Sequence, residues 1–184
     1  MSIFKDSAIV LKITKKDNKD FIYHLLSEKF WKIIAVKKFN TKEKAVDIWY
    51  HINYEIDSKK ESNISKLRMI KIINEFKYEW KKFSEINEFL NLINVILKKI
   101  GNWIENLAIN QIVKEILRYE KQDLEIKIIL AQLKTINLLW ELNIQNKDET
   151  TSKILNFINN NNFQSILKLS WINENKKKVL QNLL

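Results

Sequence analysis

The stretch AVDIWYHINYEI, Ala45 to Ile56, decides how this chain is read. Val46, Ile48, Tyr50, Ile52, Tyr54 and Ile56 are apolar or aromatic, and the residues between them, Ala45, Asp47, Trp49, His51, Asn53 and Glu55, form a mostly polar set. A pleated strand sends successive side chains to opposite sides, so strict alternation gives each set a face of its own. A helix would scatter the same apolar residues around its circumference. The pattern predicts a half-buried strand over the whole of Ala45–Ile56, one face on a core and the other meeting solvent or a ligand. VKKFNTKEK, Val36 to Lys44, leads into it as a lysine-rich connection carrying one aromatic.

Outward from that strand, four more segments have strand composition. SAIVLKIT (Ser7–Thr14), FIYHLLSEK (Phe21–Lys29), WKIIAVKK (Trp31–Lys38) and NISKLRMIKII (Asn63–Ile73) are rich in β-branched residues and are separated by polar runs such as KKDNKD, Lys15 to Asp20. Five short strands in succession predict a small β-barrel of the OB kind, and an SH3-like barrel fits the same segments. The period then changes. Ile86, Phe89, Leu90, Ile93, Ile96, Leu97 and Ile100 recur at helical spacing, with Gly101 and Asn102 as a stop. A second amphipathic helix follows over Ile104–Leu117. A third, over residues 123–142, is apolar nearly all round and is expected at the centre of a bundle. KILNFINNNN, with Thr151 or Ser152 as its cap, FQSILKLSW and NENKKKVLQNLL supply further short helical pieces. The expected architecture is α+β: a five-stranded OB-like barrel over residues 1–78 and an α-helical bundle over 79–184.

Composition removes more functions than any motif supports. One glycine (Gly101) and no proline leave no material for a Walker loop, a dinucleotide fingerprint or a kinase phosphate loop, each of which needs several glycines near phosphate. Without cysteine there is no disulfide, thiolate metal site or cysteine nucleophile. The N-terminal MSIFKDSAIVLK has no signal-peptide pattern, and a cytoplasmic location is expected. His24 and His51 both fall in predicted strands without a carboxylate or histidine at ligand spacing, so neither metal nor cofactor is expected. The acids read as solvated faces, and no catalytic constellation emerges.

The net charge of +10 points to an anionic partner, although a chain so rich in Lys, Asn and Ile also reflects a general compositional bias. Position separates the two. Residues 1–44 hold eleven lysines against five acids, a net of +6, and bias would not concentrate charge there. Lys37, Lys38, Lys42 and Lys44 share one short segment with Phe39, and Trp31 opens the strand before it. Lysines follow phosphates and exposed aromatics stack on unpaired bases, so Lys37, Lys38, Phe39, Lys42 and Lys44 form a candidate DNA-binding set. A solvated loop whose aromatics fill the barrel fits the same spacing.

The order of segments resembles the RecO family of bacterial recombination mediators nearly end to end. The resemblance is carried by Ala8-Ile9-Val10-Leu11-Lys12 in the opening strand and by Lys32-Ile33-Ile34-Ala35-Val36 running into a basic loop. Leu138-Leu139 at the end of the long apolar helix and the closing pieces TTSKILNFI and ILKLSWINENKKKVLQNLL extend it. Trp31 and Phe39 stand where family members carry glycines, lysines replace the loop arginines, and the cysteine-bound zinc module is absent. The resemblance implies binding of single- and double-stranded DNA, strand annealing and loading of RecA together with RecR, all without nucleotide hydrolysis. It also implies a dock for the tail of single-stranded-DNA-binding protein beside Lys134. A non-catalytic scaffold whose helical bundle binds a partner protein is the alternative, and a peripheral membrane protein is weaker because the most apolar helix lacks a polar face.

Overall fold

The computed structural model describes residues 2–17, 20–30, 32–38, 44–58, 64–77, 81–99, 107–139 and 148–184. The chain is α+β. Its first part holds five strands, β1 (Ser2–Lys15), β2 (Asp20–Ser27), β3 (Lys32–Lys38), β4 (His51–Ser58) and β5 (Ser65–Asn74). The helices follow as α1 (Phe83–Lys99), α2 (Leu107–Leu117), α3 (Leu124–Leu138), α4 (Glu149–Asn160), α5 (Phe163–Leu167) and α6 (Glu174–Gln181). Two compact units result: Met1–Lys77 with Gly101–Asn110, and Tyr78–Ile100 with Gln111–Leu184. The start of α2 thus groups with the strands, whereas a boundary at residue 78 places it with the helices.

The strands close on themselves in the order β1-β2-β3-β5-β4. Long β1 makes this possible: its first half pairs antiparallel with β4, from Ser2↔Ser58 to Ile9↔His51, and its second half with β2, down to Lys15↔Phe21. The β3–β5 pairing is parallel and short, Ala35↔Ser65 and Val36↔Lys66. Inside lie Ala8, Val10, Tyr23, Leu25, Ala35, Ile52, Tyr54, Ile56 and Leu67, with Val46 and Tyr50 packed against them. The alternation in AVDIWYHINYEI therefore does select the core face.

The first half of that stretch is not strand, however, which corrects the reading of Ala45–Ile56 as one continuous element. β4 begins only at His51. Before it the chain turns: the Asp47 carboxylate accepts from the Ile48 amide at 2.7 Å, and the Tyr50 amide donates to the Asp47 carbonyl at 3.4 Å. Trp49 takes a left-handed φ of 64°. That conformation costs a non-glycine residue about 1–2 kcal/mol. Against it stands the burial of the indole, 1% exposed and 6.5 Å from the Phe76 ring centroid. At about 25 cal/mol per Å², an indole of roughly 150–250 Å² gains about 4–6 kcal/mol, so burial outweighs the strain. Two β1 bonds hold the turn: the Trp49 amide donates to the Val10 carbonyl at 2.7 Å, and the Val10 amide to the Tyr50 carbonyl at 3.0 Å. Trp49, assigned by alternation to the polar face, is a core residue.

In the helical unit α3 is central, with α1, α4, α5 and α6 packed on it. Every residue from Lys127 to Ile136 is buried. Such a helix must satisfy its own polar side chains, and it uses them to tie its neighbours. Gln132 donates to the Glu88 carbonyl at 3.2 Å and to the Glu88 carboxylate at 2.7 Å, while the Lys127 ammonium pairs with Asp123 at 3.0 Å and donates to the Leu169 carbonyl. The cap of α4 is Asp148, which accepts from the Thr151 amide at 3.0 Å, rather than Thr151 or Ser152. The asparagine run ends α4 and starts α5, with Asn162 accepting from the Ser165 amide at 2.9 Å.

Candidate nucleic-acid interface

The outer surface of the barrel divides by charge. On the first half of β1, β4 and β5, two basic residues are matched by acids: Lys5 pairs with Glu55 at 2.5 Å, and the Arg68 guanidinium with Asp57, 2% exposed at its side chain, at 2.5 Å. The second half of β1, β2, β3 and the start of β5 carry a further group of lysines. Register places Lys12 beside His24, His24 beside Ile34, Leu26 beside Lys32 and Val36 beside Lys66. Tyr23, Leu25, Ala35 and Leu67 point into the core, so the residues alternating with them face outward. Lys12, Lys38 and Lys66 are exposed, and among the described residues they form no ion pair. Asp20, opposite Lys38 in register, and Asp57, opposite Lys66, are acids bordering this patch. Ile22, His24, Ile34 and Val36 lie half-buried between the lysines.

His24 registers the field of this face. Its pKa is lowered from 6.5, first by burial and then by the charges of Lys12 and Lys32. A neutral imidazole between two ammonium groups sits where an incoming anion would be stabilised.

Lys12 reaches this face through a β-bulge. The register shifts between Val10 and Lys12, so that Val10 opposes Leu25 and Lys12 opposes His24. Simple alternation from Ala8 and Val10 would have sent Lys12 inward; the extra residue turns it out. Lys32 and Lys38 were accessible from sequence, because six residues apart on one strand they share a side.

Of the expected DNA-binding residues, Lys37 and Lys38 end β3, and only Lys38 faces outward with the patch. Lys37 follows the inward series of Ile33 and Ala35, and its ammonium donates to the Arg68 carbonyl at 3.3 Å. Lys44 is exposed but paired with Glu75, which raises its pKa. Phe39 and Lys42, like Trp31, lie outside the described residues. Lys134, expected to receive a partner's acidic tail, is 8% exposed. Its ammonium donates to the Ile158 and Asn159 carbonyls at 2.8 and 3.2 Å, and burial lowers its pKa. That charge serves the C-terminal end of α4.

A second polar cluster lies around the β2–β3 connection. The Tyr54 hydroxyl donates to Ser27 Oγ at 2.9 Å, Ser27 donates to Asp6, and Asp6 also accepts from the Lys29 amide at 2.8 Å. Burial, followed in effect by the charges of Asp6 and Glu28 against the Ser27 bond, drives the Tyr54 pKa upward, so the hydroxyl stays protonated as donor. Nearby, Ser7 donates to the Glu28 carboxylate, and His51 Nε2 stands 3.5 Å from the same oxygen. Here the carboxylate lies between serine and histidine. A serine is activated by a histidine that takes its proton, with the acid behind the histidine, and this order is the reverse. Among the described residues no group of three or more His, Asp or Glu is placed to hold a metal ion, and no helix is long and apolar enough to cross a membrane.

Comparison with known proteins finds no family model and no curated protein that matches this sequence.

Proposed function

We propose that this chain is a non-catalytic DNA-binding protein of the RecO kind, whose OB-like barrel holds the strand on the face of Lys12, Lys32, Lys38 and Lys66. The convergence of Lys12 and Lys32 on His24, on a face where Lys38 and Lys66 form no ion pair among the described residues, carries this reading. The strand order β1-β2-β3-β5-β4 supports it, because barrels of OB type present the face of their second and third strands to oligonucleotides. Lysines on such a face neutralise phosphates without reading sequence. Annealing complementary strands, and acting with RecR on strands coated by single-stranded-DNA-binding protein to load RecA, are the activities proposed for it in the cytoplasm. None requires a cofactor.

The test is annealing of two complementary oligonucleotides, one of them fluorescent, with and without the protein and in the absence of nucleotide. Acceleration that fades with added salt is expected. An unchanged annealing rate, with no binding of either strand at low salt, overturns the reading.

A further inference from the structure

The helical unit brings together two segments far apart in sequence. At the start of α1, Lys82 and Phe83 are exposed, and the Phe83 ring is 85% accessible. Next to it, the Ser84 hydroxyl donates to Glu125 Oε2 at 3.1 Å. The other oxygen of the same carboxylate takes the Lys177 ammonium at 2.7 Å, which also reaches Glu174 at 3.3 Å. Lys177 is thereby neutralised in place, and its neighbours Lys176 and Lys178 flank it. Lys176 Nζ lies 4.6 Å from the ring centroid of Trp171, an indole that is 48% exposed. One carboxylate, Glu125, thus ties the start of α1, where Lys82 and Phe83 lie beside Ser84, to Lys177 of α6, which Lys176 and Lys178 flank.

We infer that Phe83 and Trp171, with Lys82, Lys176 and Lys178, form a second contact surface for single-stranded nucleic acid. The ligand class follows from the chemistry. Large aromatic rings left in water are costly unless something covers them, and flat rings beside ammonium groups match a polyanion that offers flat π-faces. The bases of a duplex are already stacked, so an unpaired strand is the form that fits. Lys176 over one face of the indole holds a cation where the backbone of a stacked nucleotide would run. Glu174, paired with Lys177, and Glu85, which accepts from the Lys82 amide at 2.9 Å, are acids at the edge of this surface. The inference shares its ligand class with the proposed function but is carried by other residues, on a unit that the barrel face does not include.

The experiment titrates the full chain with a labelled oligothymidylate, in the parent, in the double variant Phe83→Ala/Trp171→Ala, and in a barrel variant with Lys12, Lys32, Lys38 and Lys66 changed to Gln. Both rings are exposed, so the double variant is expected to keep its fold, checked by circular dichroism. The conservative pair Phe83→Trp/Trp171→Phe is expected to restore binding. Affinity should fall about tenfold for each ring removed. Tryptophan emission should be quenched by the oligonucleotide in the parent and less so in Trp171→Phe. Loss in both the aromatic and the barrel variants supports both surfaces. Loss in the aromatic variant alone supports this surface and removes the barrel reading. Loss in the barrel variant alone, or a parent that binds no oligothymidylate, overturns the inference. Quenching of Trp171 by poly-L-glutamate but not by oligothymidylate also overturns it, in favour of an acidic protein partner.

Discussion

Replacing Lys12, Lys32, Lys38 and Lys66 with glutamine removes four positive charges from one face of the barrel. Among the described residues Lys12, Lys38 and Lys66 are exposed and form no ion pair, and circular dichroism checks that the quadruple variant keeps its fold. Each single-strand phosphate neutralised by a lysine contributes about 0.7 to the slope of log affinity against log salt. Four lysines on four phosphates make a slope difference of about 2.8. Asp20, opposite Lys38, can absorb one of them and bring the difference to about 2.1. Over a fourfold rise in salt, a slope difference of 2.8 amounts to about fiftyfold in affinity. The assay is fluorescence anisotropy with a labelled single-stranded oligonucleotide at several salt concentrations. Lys37→Gln and Lys44→Gln serve as controls, since Lys37 is held at the Arg68 carbonyl and Lys44 by Glu75; each should alter the slope less than an outward lysine does. A quadruple variant with the parental slope and affinity would refute the assignment of this face.

Four further outcomes follow from the structure. The pKa of His24 is lowered by burial and then by Lys12 and Lys32, so a polyanion that offsets those lysines should raise it again. Binding then takes up a proton: affinity should grow as pH falls through and below the ordinary value of 6.5, and His24→Gln should flatten that dependence. In the free protein the sign is opposite. The contribution of neutral His24 to stability is present above that value and lost as pH falls through the lowered one, which thermal melts of parent and His24→Gln would detect. Trp49→Ala keeps a Cβ at the left-handed position while emptying the core beside Phe76; it should cost about 3–5 kcal/mol in urea unfolding of the barrel, and a loss under 1 kcal/mol would contradict the account of the turn. Lys134→Met leaves the Ile158 and Asn159 carbonyls without their ammonium donor and should destabilise the helical unit by about 1–3 kcal/mol. An unchanged denaturation midpoint, with loss of an acidic peptide ligand, would instead return Lys134 to the docking role that the family resemblance implies.

The strands and helices were largely legible because each is marked by its own neighbours along the chain. Period two put Ile52, Tyr54 and Ile56 on the core face. Period 3.6 marked α1, and apolar residues nearly all round marked α3. The same local logic failed at Trp49, where alternation continued through a turn. A left-handed residue leaves no trace in a hydrophobic pattern when a buried indole, rather than a glycine, occupies it.

What the sequence by itself determined is therefore most of the list of elements, the inner face of Ile52 to Ile56 and the exclusion of glycine-rich phosphate loops. The tertiary structure decided where the charges go. The bulge after Val10 turns Lys12 outward toward His24, and Arg68 and Lys44 are matched to acids on other strands or segments. Lys134 is drawn inside to the end of α4, and Glu125 joins the start of α1 to α6. The physical reason is one of range. Periodicity is set by backbone geometry between residues two to four apart, whereas the pairing of a lysine depends on register shifts and on partners that only packing brings within hydrogen-bonding distance.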